Sequence, residues 1–127
     1  MPAAPETWFR RKGARIAAGL GVVAIVGWFL LPRVLGLGLA MVDHARGRAA
    51  LKRYGEPMIG ADTFHRLMRE RYEVSVDEAG CNISSSTIRY IEAYNWYADL
   101  RLRSRFGRDV WAECQREAAS TTRDALE

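Results

Sequence analysis

One uninterrupted run of apolar residues near the N-terminus dominates the hydrophobic pattern of this chain. It extends over sixteen residues from Ile16 to Leu31 and has basic residues on both sides. Sixteen helical residues rise about 24 Å, less than the roughly 30 Å hydrocarbon core of a bilayer, so the helix must include neighbouring residues. The pattern predicts a transmembrane helix over residues 14–33, preceded by a basic tail over residues 1–13.

One face of the predicted span carries small residues. They are Ala14, Ala17, Gly21 and Ala24. They fall within an arc of about 80° when successive residues are placed 100° apart. Small residues let helix backbones approach closely in lipid, where packing drives association. We therefore expect this face to be a helix-packing interface with another membrane subunit or with a second copy of the chain.

The pattern changes after the predicted span. Residues 34–60 are predicted as a juxtamembrane linker and helix. Within them, the stretch 34–42 is expected to lie along the membrane interface or to pack on a partner. His44–Tyr54 has the pattern of a short polar helix that ends before Gly55.

Residues 61–120 have the spacing of a small α+β domain. Apolar residues at offsets 0, 3, 4 and 8 predict one helix, capped by Asp62, with Phe64, Leu67, Met68 and Tyr72 facing the core. Alternation between Tyr72 and Asp77, followed by a turn and Cys81–Ile83, predicts a short hairpin or one bulged strand.

Two further helices complete the predicted domain. The serines at positions 84–86 are expected to cap a helix from Thr87 to Phe106, and Asp109 is expected to cap the last helix. The inward-facing residues are Ile88, Ile91, Asn95, Ala98 and Leu102 on the first helix and Val110, Trp111, Cys114 and Ala118 on the second. Residues 121–127 are predicted as a frayed tail. The predicted fold class is mostly helical α+β with a minimal two-stranded sheet.

The net charge of +4 raises the question of nucleic-acid binding. Residues 1–42 hold five basic residues and one acidic residue, whereas the basic and acidic residues from Asp43 onward balance. Because a groove that follows phosphates needs a basic domain, we expect no nucleic-acid partner. Lys12 and Lys52 are the only lysines among 19 basic residues, a bias typical of a GC-rich bacterial genome.

The two cysteines, Cys81 and Cys114, bear on which cellular compartment holds the extramembrane domain. Both are expected to point into the core, where a disulfide would close a loop of about 34 residues and stabilise the domain by roughly 3 to 4 kcal/mol. Two buried free thiols are the alternative. Disulfides persist in oxidising compartments, so the bond would place the domain in the bacterial periplasm. The protein is then expected in the inner membrane, with its N-terminus in the cytoplasm. Positive charge flanks the span on both sides and adds a slight preference for that orientation.

A cleaved signal peptide is an alternative interpretation of the N-terminal segment. Gly38-Leu39-Ala40 has the small-x-small form of a cleavage site. The long basic segment and the interruption at Pro32 and Arg33 favour a retained anchor.

Four polar positions stand out on the long helix and after it. Asn95 lies in the apolar stripe of the helix. A buried side-chain amide without hydrogen-bond partners lowers stability by roughly 1 to 3 kcal/mol, so Asn95 is expected to make a buried polar contact. Arg101, Arg105 and Arg108 follow one another at offsets 0, 4 and 7. They are expected either to be a solvated helix end, which the macrodipole favours, or to contact lipid headgroups or a partner.

No residue pattern predicts catalysis, a cofactor or a metal. His44, His65, Cys81 and Cys114 are the only soft metal ligands and lack the spacing of a metal site. A triad of His65, Asp62 and a serine can be drawn, but the serines are explained as a helix cap. We therefore expect no enzymatic activity.

The sequence favours an interaction protein. The leading hypothesis is a single-pass accessory subunit of a larger bacterial inner-membrane complex, in contact with membrane lipid and other subunits. The alternative is a membrane-tethered periplasmic binding module that recognises a peptide or cell-wall ligand, for example by adding a strand to the region 72–83.

Overall fold

The structure is a computed structural model that describes the backbone of residues 6–126 and the side chains from Ile16 to Leu126. Its elements are α1 (Glu6–Ala45), β1 (Ala49–Arg53), α2 (Ala61–Tyr72), β2 (Val74–Glu78), α3 (Ser85–Phe106) and α4 (Val110–Asp124). The predicted fold class, mostly helical α+β with a two-stranded sheet, is confirmed.

The chain divides into two compact units between Leu31 and Pro32. The first unit holds the apolar part of α1. The second holds the rest of α1 and all other elements, so it begins well before residue 61. The helix does not stop near Leu31 but continues through Pro32 to Ala45, and the start of α1 at Glu6 makes part of the predicted tail helical.

The sheet differs from the predicted hairpin. β1 and β2 are parallel, with Leu51 opposite Val76, and α2 connects them. The strand predicted after Tyr72 is confirmed as β2, but its partner lies earlier in the chain and Cys81–Ile83 is not a strand. The predicted helix His44–Tyr54 is wrong, because α1 ends at Ala45 and Ala49–Arg53 forms β1.

The predicted helices of the domain are confirmed with one correction at a cap. Ser84 accepts a hydrogen bond from Thr87 N at 3.2 Å, and Asp109 accepts one from Ala112 N at 3.0 Å. α2 instead begins after Gly60, whose φ of 76° is left-handed. A Cβ at Gly60 would lie 2.8 Å from the carbonyl oxygen of Ala118, so glycine is required at this turn and Asp62 falls within the first helical turn.

The core lies between the sheet and the helices α2, α3 and α4. The predicted inward face of α2 is buried throughout, and on α4 the side chains of Val110, Cys114 and Ala118 are at most 1% exposed. The rings of Phe64 and Trp111 meet edge to face with centroids 4.8 Å apart. α4 also continues past Ser120 to Asp124, further than predicted.

Candidate functional site

The apolar part of α1 is exposed along its whole described length. α1 is the one described helix that is long and apolar enough to cross a membrane, over Ile16–Ala45. Ala17, Gly21 and Ala24 of the predicted small face are exposed, and a Cβ at Gly21 would meet no atom within 4 Å. The side chain of Ala14 lies outside the described residues. The small face is therefore open to another molecule.

The last part of α1 packs on α3 within the second unit. Gly36 lies against the backbone of Tyr90: a Cβ there would overlap the Tyr90 carbonyl oxygen and approach its carbonyl carbon to 3.0 Å. Ala40, one helical turn later, is only 3% exposed. We call this contact the α1–α3 seam. The sequence pattern did not predict this seam, although Gly36 and Ala40 at offset 4 have the small-residue spacing that close helix pairs use.

Polar contacts extend the α1–α3 seam to the end of α1. The Tyr94 hydroxyl donates to Asp43 Oδ2 at 2.7 Å, and Tyr94 is 1% exposed. Burial raises the pKa of the Tyr94 phenol above its ordinary value, and this hydrogen bond to a carboxylate raises it further. Arg101 Nε donates to His44 Nε2 at 3.0 Å. These contacts hold the stretch 34–42 against the chain's own domain.

Asn95 closes one edge of the sheet. Its Oδ1 accepts from Lys52 N at 2.8 Å, and its Nδ2 donates to Lys52 O at 2.5 Å. The amide thus pairs with both backbone groups of one β1 residue, as a neighbouring strand would. The expected polar contact of Asn95 is present, and its partner is β1.

The other edge of the sheet is open. Ala79 N donates to Arg53 O, and Lys52 turns its own backbone groups towards Asn95. With the parallel register, this alternation directs the N–H and C=O groups of Val74, Val76 and Glu78 away from β1. Within residues 6–126, no hydrogen bond to these outward groups is present.

The three predicted arginines do not form one group. Arg101 bonds to His44, and Arg105 lies 3.4 Å from Glu73. Arg101, Arg105, His44 and Arg48 line one cavity of about 260 Å³. Arg108 instead reaches Glu113 at 3.3 Å and lies over the ring of Tyr72, outside this lining. The sequence spacing of the three residues did not indicate Arg48, which is on the turn before β1.

The disulfide prediction is wrong, since both cysteines are free. Cys81 is exposed in the loop after β2, where its thiol donates to Gly55 O at 3.0 Å. Cys114 is 0% exposed among core side chains, and burial raises the pKa of its thiol. The expected inward position therefore holds for Cys114 alone, and the cysteines no longer indicate an oxidising compartment.

The residues considered for chemistry do not converge. His65 Nε2 lies 3.2 Å from Glu78 Oε1, at the end of β2, whereas Ser84 is used as the cap of α3. In the part of the chain that the structure describes, no three His, Cys, Asp or Glu side chains are grouped to hold a metal ion. Comparison of the chain with protein-family models, curated proteins and solved structures found no match.

Proposed function

We propose that this protein is a single-pass accessory subunit of a larger complex in a bacterial inner membrane, where it binds other subunits and performs no chemistry itself. The observation that carries the proposal is the exposed apolar surface of α1. Val23 is 69% exposed and Trp28 is 71% exposed. Exposing such side chains to water costs about 25 cal/mol per Å² of apolar area, so lipid or another helix must cover them.

The small face supports a protein partner in addition to lipid. Ala17, Gly21 and Ala24 leave a smooth surface beside larger apolar side chains. A Cβ at Gly21 would meet nothing within 4 Å, so no described part of this chain packs against that position. An effect of bulk added there must therefore come from another molecule.

Co-purification from native membranes tests the proposal. The variant Ala17→Leu with Gly21→Leu should lose its partner, or its second copy, because the added side chains separate closely packed backbones. Insertion should survive, since the segment becomes more apolar. The matched control is Val23→Leu, which adds bulk on the opposite face and should leave association unchanged. Equal behaviour of the two variants would show that the span is only an anchor.

We propose further that the N-terminus is cytoplasmic. Four basic residues lie within six positions before Ile16, whereas three, Arg33, Arg46 and Arg48, lie within about 20 residues after Leu31, so positive charge gives a slight preference for this orientation. A reporter that is active only outside the cytoplasm, fused after Glu127, should be active. A stable but silent fusion would reverse the topology.

Retention of the anchor is supported by the α1–α3 seam. Cleavage after Ala40 would remove both Gly36, which lies against Tyr90, and Ala40, which is only 3% exposed, from the folded second unit. The mature protein should therefore have the mass of the uncleaved chain. A mass that corresponds to a start at Met41 would contradict a retained anchor.

A second candidate function is a membrane-tethered periplasmic binding module for a peptide or cell-wall ligand. The open edge of β2 favours it, because an extended peptide can add a strand to such an edge. Val76→Pro would remove one outward N–H without removing a β1–β2 hydrogen bond. Partner loss in Val76→Pro, with partner retention in the Ala17→Leu, Gly21→Leu variant, would favour this candidate over the accessory subunit.

A further inference from the structure

A basic cavity lies where the end of α1, the start of β1 and the second half of α3 meet. Its volume is about 260 Å³. Three arginines and a histidine contribute to its lining: Arg48, Arg101, Arg105 and His44. Alanine and leucine side chains make up most of the remainder, and no Asp or Glu is among the lining residues. The cavity therefore combines an apolar surface with positive charge alone.

One side-chain hydrogen bond orients Arg101 at the basic cavity. Its Nε donates to His44 Nε2 at 3.0 Å. His44 must be neutral to accept this bond, and its Nδ1 then carries the ring hydrogen. The N–H groups on the Nη atoms of Arg101 stay available for another acceptor. A guanidinium oriented in this way loses less conformational freedom when it binds an anion.

The charges in the basic cavity are poorly compensated. Elsewhere in the domain arginines pair closely with carboxylates, as Arg103 does with Asp99 at 2.6 Å. In the cavity, Arg105 has Glu73 at 3.4 Å, and both side chains are more than half exposed. Across the described side chains, no ion pair within 4.0 Å joins a carboxylate to Arg48 or Arg101, and the carboxylates nearest to Arg48 line a separate cavity with it. Like charges that converge in this way favour the binding of an anion.

We propose that the basic cavity binds a phosphate-class anion, with Arg48 and Arg101 as its main ligands and Arg105 at the side. The planar guanidinium matches phosphate oxygens through paired N–H bonds. A volume of about 260 Å³ lies below the roughly 300–1,000 Å³ of sites for drug-sized molecules, so one phosphate group with a small substituent fits best. Inorganic phosphate and the headgroup of an anionic lipid both present this chemistry.

Phosphate binding to the full-length protein tests the proposal. The protein is placed in nanodiscs of phosphatidylcholine alone, and inorganic phosphate is titrated while its ³¹P line width is recorded. Saturable broadening is expected, and Arg101→Gln should raise the Kd at least tenfold. The matched control is Arg116→Gln on α4, which removes the same charge away from the cavity and should leave the Kd unchanged. Protection of Cys114 from alkylation checks that each variant is folded.

A second experiment, in nanodiscs that contain an anionic lipid, distinguishes the two sources of phosphate. The same proteins are placed in nanodiscs in which a third of the lipid is phosphatidic acid, and the denaturation midpoint is compared with that in phosphatidylcholine. Stabilisation that Arg101→Gln removes and Arg116→Gln keeps assigns the cavity to a headgroup. Binding of inorganic phosphate with the same dependence on Arg101 assigns it to a soluble ligand. The proposal is overturned if the wild type binds neither, or if the two variants behave alike.

Discussion

Gly36→Ala tests whether the α1–α3 seam holds the end of α1 against the domain. The added methyl group would overlap the carbonyl oxygen of Tyr90 and lie 3.2 Å from its Cα. Both atoms belong to the backbone of α3, so no flexible side chain can move aside. The two helices must separate, or the substitution must strain one of them.

Two opposing effects set the expected magnitude. Overpacking of this kind costs typically 1–3 kcal/mol, and we expect about 3 kcal/mol because the obstacle is backbone. Replacing glycine by alanine inside a helix gains about 1 kcal/mol from backbone entropy. The net change should be a loss of about 2 kcal/mol in the free energy of unfolding, or roughly a thirtyfold increase in the unfolding equilibrium constant.

Gly38→Ala is the matched control, because it makes the same substitution two residues further along α1. A Cβ at Gly38 meets no atom within 4 Å. Only the helix-propensity effect remains, so Gly38→Ala should gain up to about 1 kcal/mol. The two variants should therefore differ by about 3 kcal/mol, which is roughly a hundredfold in the equilibrium constant.

The assay is denaturant unfolding of the full-length protein in detergent, in a Cys81→Ala background. Pulsed alkylation of Cys114 reports opening of the core, because this thiol is 0% exposed in the folded protein. Circular dichroism should give a coincident transition if the second unit unfolds as one. A Gly36→Ala variant as stable as Gly38→Ala would refute the close contact between α1 and α3.

Three further predictions concern other parts of the domain. Asn95→Ala should lower the free energy of unfolding by about 1–3 kcal/mol, because both backbone groups of Lys52 lose their hydrogen-bond partner. A change too small to measure by denaturant titration would contradict this role of Asn95. Without reductant, an alkylating reagent should modify Cys81 in the folded protein and Cys114 only after denaturation; thiols that stay unreactive in denaturant would indicate a disulfide after all. The raised pKa of Tyr94 means that the unfolded chain loses this phenolic proton first, so stability should fall as the pH rises past about 10. Denaturation at about pH 8 and about pH 11 should show a smaller fall for Tyr94→Phe, and an unchanged pH dependence would contradict the shift.

The helices of the domain could be predicted from local sequence because their signals act over a few residues. Ser84 and Asp109 bond to backbone N–H groups three residues later, and Gly107 takes the left-handed conformation that ends α3. The apolar spacing of α2 and α4 likewise follows from the helical repeat. These features depend on neighbours in the sequence, so no tertiary contact was needed to find them.

β1 could not be predicted in this way. Ala49–Arg53 consists of alanine, leucine, lysine and arginine, all good helix formers. It is a strand because β2, 25 residues later, pairs with one edge and Asn95 on α3 pairs with the other. Hydrogen bonds from distant segments outweigh a propensity of a few tenths of a kcal/mol per residue.

The positions of the two cysteine side chains could likewise be predicted from local sequence only in part. The apolar spacing of α4 correctly placed Cys114 in the core. Cys81 was taken as part of a strand, but β2 ends at Glu78 and leaves it exposed in a loop. A disulfide depends on the distance between two side chains, and sequence separation does not determine that distance.

The sequence by itself determined that residues 16–31 form an apolar helix, because composition and length alone decide whether a helix can face lipid. It did not determine what small residues on that helix contact. Gly21 and Gly36 look alike in sequence, yet Gly36 lies against the backbone of Tyr90 while Gly21 meets no atom of the chain. Only the tertiary structure distinguished them, because it shows which helix surface the chain covers itself and which it leaves for another molecule.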